Sequence, residues 1–61
     1  MAANLRAARI KHNYTLRYVA KQTGVSIPAI CHYEKGKRVP PIDKLAHMAS
    51  LYGTTVDKLI E

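Results

Sequence analysis

Cys31 and His32 are the first pair to test for chemistry, because a thiol beside an imidazole could serve as nucleophile and base. Neighbouring residues on a helix point about 100° apart, however, and no third residue is evident to orient the histidine. A chain of 61 residues also has no surplus from which to build a substrate pocket. These points argue against catalysis, and the chain is read as a non-enzyme. Zinc ligation fails on spacing: Cys31 and His32 are adjacent, while His12 and His47 lie far off. No metal and no cofactor is expected. What remains is charge. The formal net charge is +6, and residues 1–38 hold eight of the ten Lys and Arg but only one of the four acids, Glu34. A polyanion partner should meet this part of the chain. The competing reading is ordinary solubilising charge.

Size bounds the rest. The length allows one domain, 1–61, and one core, which buries only ~60% of the surface the unfolded chain exposes. The single cysteine rules out an intramolecular disulfide, so the core has to come from helix packing alone. A lone thiol suits a reducing compartment. No signal peptide and no apolar run long enough to span a bilayer is present, so the chain reads as cytoplasmic with no membrane partner.

Turn and cap signals divide the sequence into five short helices, an all-α class. The first is predicted from about Ala3 to His12, with Leu5, Ala8 and Arg9 on one face and Asn13 as the stop. Thr15 has the character of an N-cap for a second helix over Leu16 to Thr23, with Tyr14 and Val19 spaced as a hydrophobic staple and Val19 and Ala20 inward. Gly24 ends it. Ser26 caps a third helix that runs to about Lys35, with Val25 and Ile30 as its staple and Pro28 tolerated in the first turn. Gly36 closes it, and Lys37-Arg38-Val39-Pro40 is an extended connection. The fourth helix starts near Pro41 as its first helical residue and carries Ile42, Leu45, Met48 and Ala49 inward as far as Tyr52. Gly53 stops it, Thr55 caps the fifth, and Val56, Leu59 and Ile60 supply that helix's apolar side.

A short helix, a glycine turn and a second helix with its own N-cap, all within about 20 residues, make a helix-turn-helix. The ordered set Thr15-x4-Ala20-x3-Gly24-Val25-Ser26-x3-Ile30-x3-Glu34-x-Gly36-Lys37-x2-Pro40 resembles the phage-repressor and Cro type of helix-turn-helix domain, also called XRE-like. Leu45-x2-Met48-Ala49-x3-Gly53-x3-Asp57-x-Leu59-Ile60 extends the resemblance through the last two helices, so it covers Leu5 to Ile60. It implies a compact five-helix repressor-like DNA-binding domain, with the helix-turn-helix at helices two and three. It also implies sequence-specific recognition of double-stranded DNA and transcriptional repression, with helix three in the major groove.

Roles follow from the resemblance residue by residue. Arg9 and Glu34 match an arginine on helix one and a glutamate ending helix three that pair structurally. Lys35, Lys37 and Arg38 match a loop that lies along the phosphate backbone, which supplies affinity and register but not sequence choice. Base reading falls to Ile27, Pro28, Ala29, Cys31 and His32, with Ser26 nearer the backbone, while Ile30 and Tyr33 match core positions. Ile27 and Pro28 depart from the hydrogen-bonding residues usual there. They can offer only apolar contact with thymine methyls, which suggests a T-rich site or reliance on DNA shape. Packing of Ile27 against helix two is the competing reading. Leu16 stands where a phosphate-bridging glutamine is usual, and Arg17 beside it could take over that contact. Thr23 replaces a common core leucine and should loosen the junction between helices two and three.

The family pattern implies a homodimer on a near-palindromic operator, paired through the end of helix four and helix five, with Val56 a candidate. The alternative function is that of an antitoxin- or antirepressor-type module with a protein partner, in which Ile27, Pro28 and Ile10 would form a contact patch. Lys35, Lys37 and Arg38 favour DNA, since a binder of protein alone has no need for a basic turn beside an exposed recognition helix.

Overall fold

The computed structural model describes residues 1–61 as five helices: α1 (Ala2–Lys11), α2 (Leu16–Thr23), α3 (Ile27–Glu34), α4 (Ile42–Leu51) and α5 (Val56–Ile60). None is long and apolar enough to cross a membrane. α1 packs on α3 and α5, α2 on α3 and α4, and α4 on α5. Leu5, Val19, Ile30 and Met48, one from each of the first four helices, are fully buried at the centre. Leu59 closes the core from α5.

Local chemistry accounts for where each helix begins and ends. Thr15, Ser26 and Thr55 each accept a hydrogen bond from the backbone N–H three residues on, at 3.0, 3.2 and 3.2 Å, which caps α2, α3 and α5. Each such cap contributes about 1 kcal/mol. At their C-termini α1, α3 and α4 end in the same way. One residue enters the left-handed region, and the next donates its N–H back across the last turn: Tyr14 to Arg9, Lys37 to His32 and Thr54 to Ala49. This is a Schellman closure. Gly36 and Gly53 fill the left-handed position at φ 75° and 65°, and Asn13 does so at φ 57°, as its type anticipated.

Several boundaries shift by one residue, because residues taken as the last helical ones act as caps. His12, Lys35 and Tyr52 lie just outside α1, α3 and α4. Pro41 is likewise the N-cap of α4 rather than its first helical residue, since its ψ of 151° is extended. Two residues expected inward are not. Ile42 is 71% exposed and Ile60 53% exposed. Side chains on a helix lean toward its N-terminus, so a first-turn residue such as Ile42 projects off the end of α4. In the five-residue α5, Leu59 takes the inward position and its neighbour Ile60 falls about 100° away.

Candidate nucleic-acid interface

The turn between α2 and α3 is built on Gly24, whose φ of 72° suits a residue without Cβ, and on Thr23. Thr23 is buried. Its hydroxyl donates to the Val19 carbonyl at 2.7 Å and accepts from the Val25 N–H at 3.3 Å. Val25 and Ile30, the anticipated staple, are both buried. The first turn of α3 is thereby fixed relative to α2, and Ser26, Ile27 and Pro28 stand exposed at its leading end.

The five candidate readers are not equally free. Ile27 and Pro28 are exposed, Cys31 and His32 are half-buried, and Ala29 is partly turned inward, packed against the core. Ile30 is buried and Tyr33 packs on the core, as their positions suggested. Arg17 is exposed in the first turn of α2. At the other end of α3, Lys35, Lys37 and Arg38 are exposed on the turn that the Lys37 N–H closes.

Glu34 and Arg9 meet as a two-point fork. Arg9 Nε donates to Glu34 Oε2 at 2.7 Å and Nη2 donates to Oε1 at 3.1 Å, with the side chains only 15% and 6% exposed. The third guanidinium nitrogen, Nη1, donates to the Tyr14 carbonyl at 2.9 Å. The hydrogen bonds to Glu34 hold the guanidinium firmly in its charged form. Glu34 is the only acid in residues 1–38, and its carboxylate is spent on this bond. Arg17, Lys35, Lys37 and Arg38 therefore face solvent with no acid of their own region to neutralise them.

Three features lay outside what the sequence suggested. Asn4 Nδ2 reaches the Leu59 and Glu61 carbonyls at 3.0 and 3.2 Å, which ties α1 to the end of α5. His12 Nε2 lies 2.8 Å from the Tyr52 carbonyl, an oxygen that can only accept, so this ring nitrogen carries a proton. Tyr52 itself is buried, its hydroxyl has no hydrogen-bond partner, and burial pushes its pKa up to about 12. The first two join residues 40 or more apart, a separation that no local pattern reports. No three His, Cys, Asp or Glu side chains form a group suited to a metal ion.

The fold and the α2–turn–α3 unit define a helix-turn-helix domain, and a helix-turn-helix family profile matches residues 5–59. The chain belongs to this XRE-like family. Among curated proteins it is similar to the HTH-type transcriptional regulator AnsR of Bacillus subtilis, with 38% identity over 52 residues that cover 85% of this chain and 45% of that protein. It is also similar to the HTH-type transcriptional regulator DdrOP3 of Deinococcus deserti, with 31% identity over 61 residues, all of this chain and 47% of that protein. The chain thus spans about half the length of these curated relatives.

Proposed function

We propose that this chain binds double-stranded DNA in a sequence-specific way and acts as a transcriptional repressor, with α3 in the major groove. The observation that carries the reading is that α3 has an exposed leading end and, at its other end, an unneutralised basic turn. The one nearby acid, Glu34, is turned inward onto Arg9. Membership of the helix-turn-helix family and the regulator names of the relatives support the same reading.

In this mechanism Lys35, Lys37 and Arg38 contact phosphates at one end of α3. Arg17 does so from the start of α2, and Ser26 lies near the backbone. Ile27 and Pro28 then press apolar surface against the base edges, where thymine methyls are the matching chemistry, while Cys31 and His32 follow along the groove. Ala29 contributes mainly by setting how closely α3 seats. Two copies bind a near-palindromic site, since the four or five base pairs under one recognition helix cannot be specific in a genome. The end of α4 and α5 forms the contact between them, where Val56 and the exposed Ile60 are the apolar residues.

The test is selection of preferred duplexes from a random pool, followed by mobility shifts on the selected and scrambled sequences. Preference for the selected duplex is the expected result. Equal affinity for both would overturn sequence-specific recognition.

A further inference from the structure

The outer face of α1 carries the largest concavity of the molecule, an open groove of about 710 Å³. Its floor is apolar, formed by Ala3, Ala7 and Ile10, and Arg6, Lys11 and Glu34 border it. Ile10 is 47% exposed, although a residue of its type is ordinarily buried. The border is cationic in effect, because the Glu34 carboxylate is already bound by Arg9 whereas Arg6 and Lys11 are exposed with no acid bonded to them. None of the floor residues serves the DNA-reading face described above.

We infer that this groove docks an amphipathic α-helix of a partner protein, apolar on one face and acidic along its edges, and that its occupation competes with DNA. Three observations select this occupant. Ala3 and Ala7 stand one turn apart, which lets a second helix approach closely, and Ile10 offers the ridge against which it would interlock. Arg6 and Lys11 match acidic side chains flanking an apolar stripe. The length of α1, ten residues or about 15 Å, suits a helix of a few turns.

Competition follows from position. Ala2, at one end of the groove, packs against the basic turn: its Cβ is 3.6 Å from where a Cβ on Gly36 would stand. An acidic helix seated along α1 would therefore bring its charge beside Lys35 and Lys37, the side chains assigned above to phosphates. The competition, though not the docking, rests on the DNA reading.

The whole chain can be titrated with a synthetic helical peptide of about three turns, Leu and Ala on one face and Glu on its flanks. A second peptide of the same composition in scrambled order controls for charge. Amide chemical-shift mapping should place the ordered peptide on Ala3, Ala7, Ile10 and Lys11. Ile10→Ser should weaken it about tenfold while melting temperature and duplex affinity stay unchanged. The ordered peptide should also displace a bound duplex. Equal binding of the scrambled peptide, or shifts confined to Arg17, Lys37 and Arg38, would reduce the effect to charge attraction and overturn the docking site. Docking on α1 without displacement of the duplex would overturn the competition. A chain that docks the peptide but binds no duplex would sink the DNA reading and leave the docking site standing.

Discussion

Glu34 receives Arg9 through both of its carboxylate oxygens, and this fork clamps the end of α3 against α1. The bond sets the angle of the helix proposed to read bases, and it does so with a charge that would otherwise repel phosphate. Removing an acid from a basic surface would simply strengthen DNA binding if the pair were a solvated surface contact. The low exposure of both side chains predicts a different outcome.

Glu34→Ala should leave the Arg9 guanidinium buried without its partner and cost about 3–5 kcal/mol. A domain this small has little more than that to lose, so a lowered or vanished thermal transition is expected rather than tighter binding. An unchanged melting temperature would show that the pair does not anchor α3.

Tyr52 supplies the second prediction. Its buried hydroxyl has no partner, so Tyr52→Phe should be neutral or stabilising, by up to about 1–2 kcal/mol. The same burial gives stability a pH dependence. The phenol keeps its proton to about pH 12 when folded, but loses it near pH 10 when unfolded. Between these values the unfolded chain binds fewer protons, so stability should fall as pH rises from 10 to 12. Denaturation curves at stepped pH should show this decline, and Tyr52→Phe should flatten it. A decline of equal depth in the variant would assign it to other groups.

Readers and anchors should separate in one binding assay on specific and scrambled duplexes. Ile27→Gln should change the preferred bases at one or two positions, by ~1–3 kcal/mol. Lys37→Ala or Arg38→Ala should weaken every sequence about equally and lower the salt slope by about one unit. If Lys37→Ala alters preference while Ile27→Gln leaves it untouched, the two roles are reversed.

Affinity should also fall steeply with salt, by about 0.9 in log K per log salt for each phosphate contacted. Sedimentation of the saturated complex should find two chains per duplex. A flat salt response would count against DNA as the main partner, and one chain per duplex would count against the paired arrangement.

Much of this architecture is legible in the sequence, and for identifiable reasons. Thr15, Ser26, Thr55 and the turn residues Asn13, Gly24, Gly36 and Gly53 act within a few positions of themselves, so their types announce helix ends. Arg9 and Glu34, 25 positions apart, were paired only through family resemblance. Ile42 and Ile60 were misjudged because apolar spacing says which side of a helix a residue occupies, not whether anything lies there to cover it. Thr23 takes the core position its place in the pattern implied, and its polar side chain can be buried there because the backbone beside it supplies both a donor and an acceptor. Among the proposed base readers, spacing alone did not separate the exposed Ile27 and Pro28 from Ala29, which leans on the core.

Asn4 joins the first helix to the last by donating to the Leu59 and Glu61 carbonyls, across 55 and 57 positions. Most of this fold is assembled from neighbours in sequence, so most of its contacts can form before the two ends of the chain meet. The Asn4 bridge cannot, since it closes nearly the whole chain into a loop and gains nothing until both ends have arrived. Loosening of either terminal helix is thereby coupled to the other, because freeing one breaks a bond that both share. The short α5 gains from α1 an anchorage that five residues could not provide alone.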